Sequence, residues 1–245
     1  MGRTVIVGDV HGCADELDEL LDRLAIDASD RLTFVGDLVM RGPKPREVMA
    51  RVRALGATCV LGNHEWRLLQ WRKLRGEKQR ELSPEQARWK NSSRLASLGD
   101  QLSDEDWAQL ENMPLFQQLP EHNVVVVHAG VVPGRELEQQ EPRDLLHMRC
   151  LSEDGDAREG RDAGPLWGSR YSGPPHVVFG HNALSEPQLH PWATGIDTGC
   201  VYGGRLTALV LNANQDVIEP PQQRRDQLVS VAAHATYVAI RQRGC

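Results

Sequence analysis

The stretch Thr4-Val5-Ile6-Val7-Gly8-Asp9-Val10-His11-Gly12 joins a strand-like run to a polar turn. Its β-branched residues favour a strand, and Gly12 lets the chain swing away behind it. An extended backbone at Asp9 and His11 would turn both side chains toward one point. The residues that follow have the spacing of one helix face, at Leu17, Leu20, Leu21 and Leu24. The segment therefore predicts a strand, a polar loop and a helix.

Four further segments repeat this arrangement of a strand-like run followed by histidine, aspartate or asparagine. They are Gly36-Asp37, Gly62-Asn63-His64-Glu65, His128-Ala129-Gly130 and Gly180-His181-Asn182. The predicted strands are Thr4–Val7, Leu32–Val35, Thr58–Leu61, Val124–Val127, His176–Phe179, Leu206–Leu211 and Gln227–Val231. Because strands alternate with helices, we predict an α/β fold, a β-sandwich flanked by helices. All five polar segments would then lie at the carboxyl ends of strands.

One region interrupts the alternation. Residues 66–118 look helical throughout, with capping-box signals at Ser83-x-x-Gln86 and Ser103-x-x-Asp106. This helical insert emerges directly from the third polar segment, so we expect it to overhang the site. The chain as a whole, 1–245, is predicted to be a single domain.

Two further features concern aromatic residues and loops. The tryptophans of the insert are expected to form its core, with a base-stacking platform as the alternative; they are Trp66, Trp71, Trp89 and Trp107. Residues 134–164 are polar and contain glycine, which predicts a long surface loop with one helical turn.

The composition argues against several classes of protein. The 245 residues are 40% hydrophobic with a mean hydropathy of −0.45, and no run approaches the ~20 apolar residues of a membrane span. A formal charge of −6 argues against bulk nucleic-acid binding. The cysteines are widely spaced without a CxxC pair, which favours a reducing compartment. With a strand starting at Thr4 there is no room for a signal peptide, so we expect a cytoplasmic protein.

The polar segments together supply the ligands of a two-metal site. The candidate ligands are Asp9, His11, Asp37, Asn63, His128 and His181. Asp37 has two oxygens and can bridge two cations. Such carboxylates and imidazoles suit Mn²⁺, Fe or Zn²⁺, held as a pair about 3.5–4 Å apart. A water bridging that pair would lose a proton near neutral pH, and the hydroxide would attack an anionic phosphate ester or anhydride.

Three more residues are candidates for a direct part in catalysis. Arg41 lies four positions after the bridging aspartate, and Gly42-Pro43 fixes a turn that would aim it inward. Arg170, ahead of the fifth segment, is a second guanidinium candidate, and two such forks can clamp phosphoryl oxygens. His64 is placed to protonate a leaving oxygen. The other histidines are expected to be surface or core residues, namely His122, His147, His176, His190 and His234.

As a set, these motifs resemble those of the calcineurin-like metallophosphoesterases. Gly-Asp-Val-His-Gly, Gly-Asp-Leu-Val-Met-Arg-Gly-Pro, Gly-Asn-His-Glu, His-Ala-Gly and Phe-Gly-His-Asn follow one another between residues 4 and 212. Residues 195–209, Gly-Ile-Asp-Thr-Gly-Cys-Val-Tyr-Gly-Gly-Arg-Leu-Thr-Ala-Leu, look like the corresponding stretch of the symmetric diadenosine tetraphosphatases, or bis(5'-nucleosyl)-tetraphosphatases. These enzymes split diadenosine tetraphosphate into two ADP. The same branch contains the protein serine/threonine phosphatases.

The resemblance implies a distribution of roles among the candidate residues. It implies one metal on Asp9, His11 and Asp37, and another on Asp37, Asn63, His128 and His181. It also implies Arg41 and Arg170 on phosphate and His64 as the acid. Family members usually prefer Mn²⁺ or Co²⁺, and Fe or Zn²⁺ accept the same ligands. Some also remove nucleoside-tetraphosphate caps from RNA. The resemblance therefore implies a dimetal hydrolase of dinucleoside polyphosphates.

Two departures from related patterns bear on the substrate. Protein phosphatases of this branch have Asp-Arg-Gly where this chain has Met40-Arg41-Gly42. That aspartate would orient the acid histidine, so its absence favours an anhydride, whose nucleoside diphosphate leaves readily, over a phosphoprotein. Nucleases of related type have Gly-His-x-His, and here Ala183 fills the last place, which argues against a nuclease. A protein serine/threonine phosphatase stays the alternative function. A non-catalytic scaffold is a lesser alternative, since none of the six ligands is missing.

Overall fold

The computed structural model describes residues 2–76 and 81–239, which form two five-stranded sheets with helices on their outer faces. The strands are β1 (Thr4–Val7), β2 (Arg31–Phe34), β3 (Thr58–Cys59), β4 (Phe116–Leu119), β5 (Val124–Val127), β6 (Cys150–Leu151), β7 (Ala157–Arg158), β8 (His176–Phe179), β9 (Gln188–Leu189), β10 (Ala193–Gly195), β11 (Arg205–Leu211) and β12 (Leu228–Ala232). The α-helices are α1 (Ala14–Leu24), α2 (Pro45–Ala54), α3 (Asn63–Gly76), α4 (Pro84–Lys90), α5 (Ser93–Gly99), α6 (Asp104–Glu111) and α7 (Pro142–His147).

Each sheet has three parallel strands, with antiparallel strands added at one edge of the first sheet and at both edges of the second. The first sheet has the order β12-β11-β1-β2-β3, in which β1, β2 and β3 run parallel. The second has the order β4-β5-β8-β10-β9, in which β5, β8 and β10 run parallel. Strands β6 and β7 form a separate hairpin. Because parallel strands end at the same edge of a sheet, the loops that follow them are gathered together.

Alternate strand residues divide the core into three layers. Ile6 and Val126, from the central strands of the two sheets, belong to the cluster between the sheets. Val5 and Val7, on either side of Ile6 in β1, instead pack in the cluster that contains the leucines of α1. Val127 packs outward in the cluster that contains α7. Strands covered on both faces are continuously apolar, as the sequence is here. The predicted α/β sandwich is confirmed.

The strand predictions are close to the observed bounds. Those of β1, β5 and β8 are confirmed to the residue, that of β11 begins one residue earlier than predicted, and those of β2 and β12 are shifted by one residue at both ends. Strand β3 ends two residues earlier than predicted, because Leu61 turns away to donate its N–H to the carbonyl of Pro114 at 2.7 Å. The short strands β9 and β10 were not predicted, since two or three residues show no periodicity.

The region between β3 and β4 contains the helices α3 to α6. Both capping boxes are confirmed: the hydroxyls of Ser83 and Ser103 accept the N–H three residues on, and the serines' own N–H groups donate to the side chains of Gln86 and Asp106. The prediction of helix up to residue 118 is wrong at its end, where β4 pairs antiparallel with β5. There Gln117 accepts hydrogen bonds from the hydroxyls of Thr33 and Thr58, both at 2.8 Å, and so connects the two sheets.

Parts of the predicted domain and insert lie outside the described residues, namely 1, 77–80 and 240–245. The division into a domain of residues 1–245 and an insert of residues 66–118 stays a prediction. Residues 134–164 contain more structure than the predicted loop, with a 3₁₀ turn, α7 and the β6–β7 hairpin. Within residues 2–76 and 81–239, none of the helices has both the length and the apolar character needed to cross a membrane.

The segment after β12 packs back onto α1. The N–H of His234 and the hydroxyl of Tyr237 both donate to Glu16 Oε1, at 2.8 and 2.9 Å. Glu16 is completely buried. The described end of the chain is therefore fastened beside the loop that carries Asp9 and His11.

Candidate metal centre

The two sheets bring all five polar segments to one edge of the sandwich. Asp9, Asp37 and Asn63 follow β1, β2 and β3 of the first sheet, and His128 and His181 follow β5 and β8 of the second. The side chains of these residues are buried. The site is therefore assembled from both halves of the sandwich.

Tight left-handed turns aim these side chains. His11, Asp37 and His181 have φ values of 50°, 51° and 63°, and Met40 and Arg41 have values of 71° and 73°. The expected extended backbone at His11 is wrong, because its N–H turns to donate to the carbonyl of Asp37 at 2.8 Å. Non-glycine residues rarely adopt this conformation, and it concentrates where function demands it.

Asp37 lies at the centre of the cluster. Its Oδ2 is 3.5 Å from His11 Nε2, and its Oδ1 is 3.5 Å from His128 Nε2. The ligand atoms of Asp37, His128 and His181 lie within 4.8 Å of one another, and so do those of Asp37, His11 and His64. Each oxygen of one carboxylate therefore faces a different group of imidazoles, as a bridging ligand requires.

Backbone carbonyls orient the three histidines proposed as ligands. Nδ1 of His128 is 2.8 Å from the carbonyl of Val35, and Nδ1 of His11 is 3.4 Å from that of Val39. In His181 the roles are exchanged, since Nε2 is 3.2 Å from the carbonyl of His147. A ring nitrogen held by a carbonyl carries the proton, so the other nitrogen is free to bind a metal.

Backbone groups also hold the two aspartates. Asp9 accepts the N–H of His181 at 3.1 Å, which links the sheets, and Asp37 Oδ1 accepts the N–H of His64 at the start of α3 at 3.0 Å. A helix N-terminus favours such negative charge. Gly180 is required for this packing, because a Cβ there would overlap Asp9 Oδ1.

The buried carboxyl groups at this edge of the sandwich need positive charge nearby. Burial raises the pKa of Asp37 and Asp197 to about 6 and that of Glu65 to about 7. It also raises the pKa of Asp9 well above its usual range, with Asp197 and Asp37 adding to the effect. Buried carboxylates in one place are costly unless positive charge compensates them. The donor set, its orientation and its charge thus fit two divalent cations.

The imidazoles of the cluster are neutral near pH 7. Burial lowers the pKa of His11 to about 3 and that of His128 to about 4, and lowers that of His181 well below its usual value. Metal ligation requires the neutral ring. These rings could therefore bind a metal at neutral pH without first losing a proton.

Arg41 and His64 lie beside one end of the cluster. Arg41 Nε donates to His64 Nε2 at 3.1 Å, and the rings of His64 and His11 are 5.1 Å apart. The guanidinium lies 5.2 Å from the ring centroid of Tyr202. Met40 is buried in the apolar cluster of the first sheet. The structure thus brings the predicted acid and one predicted phosphate ligand to the metal ligands.

The role of Arg170 on phosphate stays a prediction. Its side chain is exposed at the end of a 3₁₀ turn, whereas Arg41, Arg67 and Arg149 are the cations that most lower the pKa of Asp37. Nε of Arg67 and Nε of Arg149 are buried and have no hydrogen-bond partner among the described residues. Unpaired buried guanidinium donors beside a metal site are suited to phosphoryl oxygens. Position in the sequence had favoured Arg170 and missed both.

Three further residues at the site were missed as well. Glu65 accepts the N–H groups of Asp37 and Val39 at 2.8 and 2.9 Å and thereby holds the loop after β2. Asp197 follows β10 by two residues, as Asp9 follows β1, and that repetition was the available signal. His147 was expected to be unrelated to the site, but its ring centroid lies 6.2 Å from that of His181.

Two cavities adjoin opposite ends of the cluster. The Trp66 cavity, of about 380 Å³, lies at the His181 end and is lined by Trp66, Arg67, Leu146, His147 and several acidic residues. The Arg41 cavity, of about 490 Å³, lies at the His64 end and is lined by Met40, Arg41, Pro43, Arg94, Leu98 and Gln101, among others. Helix α3 contributes to the wall of the Trp66 cavity, and α5 contributes to the wall of the Arg41 cavity.

Known proteins match this chain over most of its length. The family model of the calcineurin-like phosphoesterases matches residues 2–213. An asymmetrical bis(5'-nucleosyl)-tetraphosphatase, PrpE of Halalkalibacterium halodurans, is 33% identical over 89% of this chain and 94% of its own. A symmetrical bis(5'-nucleosyl)-tetraphosphatase of Chromohalobacter salexigens is 30% identical over 91% of this chain and 99% of its own.

Solved structures agree with the sequence relatives. A crystal structure assigned provisionally as a diadenosine tetraphosphatase superposes with a TM-score of 0.76 at 35% identity, over 95% of this chain and 94% of that one. A protein serine/threonine phosphatase of Saccharomyces cerevisiae shares the fold, with a TM-score of 0.55 at 18% identity over 96% of this chain and 80% of that one. From its fold, its cluster of aspartates and histidines and these matches, the chain belongs to the calcineurin-like phosphoesterase family.

Proposed function

We propose that this protein is a metal-dependent phosphoric anhydride hydrolase that cuts dinucleoside polyphosphates, with diadenosine tetraphosphate split symmetrically into two ADP. The observation that carries the proposal is the placement of one cavity at each end of the metal ligands. A substrate with a phosphate chain between two nucleosides would cross the cluster and extend into both cavities. The sequence relatives named bis(5'-nucleosyl)-tetraphosphatase support the same class of substrate.

We assign the metal ligands as the sequence analysis implied. Asp9, His11 and Asp37 would hold one cation, and the second would be held by Asp37 and the neutral ligands Asn63, His128 and His181. When bound, the two ions would supply positive charge for the phosphoryl oxygens and lower the pKa of water. We propose Mn²⁺ as the native metal, with Co²⁺, Fe or Zn²⁺ as alternatives that the same ligands accept.

The remaining roles belong to cationic and neutral side chains around the ligands. Arg41, Arg67 and Arg149 would clamp phosphoryl oxygens and stabilise the charge that develops on them. Transfer of the Arg41 donor from His64 Nε2 to a phosphoryl oxygen would free that nitrogen to take up a proton from water and pass it to the leaving oxygen. Met40 gives the acid histidine no carboxylate partner, which favours a nucleoside diphosphate over a serine alkoxide as leaving group.

A narrower proposal concerns the cellular location of the protein. The buried cysteines Cys13, Cys59, Cys150 and Cys200 are all free thiols, which supports a cytoplasmic location.

A second narrower proposal concerns a further substrate. RNA that begins with a nucleoside-tetraphosphate cap presents the same phosphate chain with one long arm. We propose it as a further substrate, since the more open Arg41 cavity leaves an exit for that arm.

Product analysis of diadenosine tetraphosphate tests the function. Mn²⁺-loaded protein is incubated with the dinucleotide, and the nucleotides are separated by ion-exchange chromatography. We expect ADP alone. Formation of AMP and ATP would still show anhydride hydrolysis but would overturn the symmetrical cut. This distinction is decisive because the relatives include enzymes named asymmetrical and enzymes named symmetrical. Protein treated with EDTA is the control.

A phosphopeptide assayed in parallel tests the alternative function. Rapid phosphate release from the peptide without cleavage of the dinucleotide would make the protein a serine/threonine phosphatase and would contradict the proposal.

A further inference from the structure

The Trp66 cavity has the walls of a site for a flat ring. The indole of Trp66 and the imidazole of His147 lie 6.0 Å apart at 84° to each other, and buried Leu146 also lines the cavity. Trp89 packs edge-on against Trp66 with the centroids 5.1 Å apart, so the indole is held in place from behind. Nucleobases stack on such surfaces with about 1–3 kcal/mol per base. The volume of about 380 Å³ lies in the range of small-ligand sites.

The charges along this cavity give it a direction. At the end near the metal ligands, Arg67 Nη2 lies 3.2 Å from the amide of Asn63, and its buried Nε has no partner among the described residues. At the outer end are the exposed side chains of Glu85 and Glu141 and the ion pair of Arg143 with Glu159 at 2.7 Å. A nucleotide would therefore lie with its phosphates toward Arg67 and its base toward the carboxylates.

The carboxylates also select among bases. Ionised Glu accepts hydrogen bonds and donates none. An exocyclic amino group can donate to Glu85 or Glu141, whereas a carbonyl oxygen at the same ring position is repelled. The outer end of the cavity thus favours a purine with an amino group over one with a carbonyl in its place.

The Arg41 cavity lacks the corresponding features. No aromatic ring is among its described lining residues, and Tyr202 lies beneath the Arg41 guanidinium instead of in the wall. Its lining is instead cationic and polar, with Arg41, Arg94, Ser97 and Gln101. It suits phosphate and ribose oxygens better than a base.

From this difference we propose that the protein recognises one nucleoside only. The Trp66 cavity binds a purine that carries an exocyclic amino group, stacked on Trp66 with the His147 ring against its edge, while the Arg41 cavity accepts the other arm without reading its base. This inference rests on the proposed function and specifies its substrates. Dinucleotides with one aminopurine and any second base would be cleaved, and so would mononucleoside polyphosphates of sufficient length.

Replacement of Trp66 tests the stacking contact. For Trp66→Ala we expect the KM for diadenosine tetraphosphate to rise about 10-fold or more, the loss of one stacked base, with kcat changed little. The conservative variant Trp66→Phe should keep most of the affinity. Hydrolysis of inorganic tripolyphosphate, which has anhydride bonds but no ring, should keep its KM within about twofold by the same argument. Trp192→Ala, at an exposed indole just before β10 and so at the end of the parallel strands opposite the metal ligands, is the matched control.

Direct binding to EDTA-treated protein tests the choice of base. Adenosine and inosine, which differ at the amino position, are compared by saturation-transfer NMR. We expect adenosine to bind more tightly, and the double variant Glu85→Gln with Glu141→Gln to remove the preference. Equal binding of the two nucleosides by the wild type, or an unchanged KM in Trp66→Ala, would overturn the inference.

The two proposals fail in distinguishable ways. If tripolyphosphate is hydrolysed but no dinucleotide is, the proposed function fails, and the nucleoside-binding comparison still decides whether this cavity holds an aminopurine. If the dinucleotide is cleaved with an unchanged KM in Trp66→Ala, the function holds and the base site is wrong.

Discussion

Asp37 lies between two groups of imidazoles, and contacts from three directions hold it in place. Its own N–H is held by Glu65, one of its oxygens receives the N–H of His64, and its other oxygen faces His11. No other described carboxylate has one oxygen against each group of ligands. Loss of this one charge would therefore weaken both metal sites together.

Asp37→Asn tests this position. We expect kcat for diadenosine tetraphosphate to fall by more than about 100-fold, beyond the loss typical of residues behind the ligands, and both metals to be lost on desalting. Metal content by plasma mass spectrometry and turnover are measured on the same preparation. Asp154→Asn, at an exposed loop residue, should match the wild type. Full activity or two retained ions in Asp37→Asn would refute a bridging role.

The limits of sequence reasoning are clearest at the residues beyond the ligands. Asp9 and His11 could be predicted because the chemistry of a short motif is local to it. Arg149 comes from the segment between α7 and β6, and only the approach of that segment to α3 brings it to the site. Arg170 had position alone in its favour, and the fold leaves it exposed. The two arginines differ in their long-range packing, which the periodicity of the sequence does not record.

At the level of elements, predictions were accurate where one local signal controlled the outcome. A run such as Val124–Val127, bounded by polar residues, defines its own ends, and so does a reciprocal cap such as that of Ser103. Strand β4 was missed because its Phe-Gln-Gln-Leu sequence becomes a strand through pairing with β5 and through the contacts of Gln117. Strand β10 is three residues long, and when it was missed, Asp197 was missed with it.

The capping boxes allow a matched measurement on two helices. Asp106, in the box of Ser103, also accepts a hydrogen bond from Arg53 of α2 at 2.6 Å, whereas the box of Ser83 is exposed. Ser103→Ala should lower the free energy of unfolding by about 1–2 kcal/mol, and Ser83→Ala by less, because the first cap supports a contact between helices. Urea denaturation monitored by circular dichroism measures both. A larger loss in Ser83→Ala would contradict the argument.

At the scale of the whole molecule, the candidate ligands connect the two sheets. Asp9 and Asp37 come from the first sheet, and His128 and His181 from the second. Cations held by both should therefore stabilise the sandwich by mass action. We expect the Tm of EDTA-treated protein to rise by several degrees when Mn²⁺ is added in excess, with no such rise for Asp37→Asn. Calorimetry that shows Mn²⁺ bound without a change in Tm would count against ligation across the sheets.

Acid stability provides a second test at this scale. Burial, with Arg224 nearby, lowers the pKa of His176 to about 3, and its Nε2 lies 2.8 Å from the hydroxyl of Thr194. The folded protein thus favours the neutral ring. This contribution is fully present above the unfolded pKa of about 6.5 and is lost as the pH falls toward 3, by about 1.4 kcal/mol per unit.

His176→Gln should therefore flatten the fall in the free energy of unfolding between pH 6.5 and 5, measured with urea. His234→Gln is a control of opposite sign. The hydrogen bond to Glu19 raises the pKa of His234, so its stabilisation is present at low pH and is lost as the pH rises through that pKa. Parallel curves for wild type and His176→Gln would show that His176 does not titrate in this way.

The position of β1 has a consequence for biosynthesis. This strand lies in the middle of the first sheet, between β2, which follows it closely in the chain, and β11, which comes about two hundred residues later. A nascent chain therefore emerges from the ribosome with one edge of β1 open until Arg205–Leu211 has been made. The loop of Asp9 and His11 is synthesised before the other candidate ligands, yet its surroundings are completed only when β11 has been made. Such an edge is a template for mispairing, and chaperone dependence during translation is the expected result.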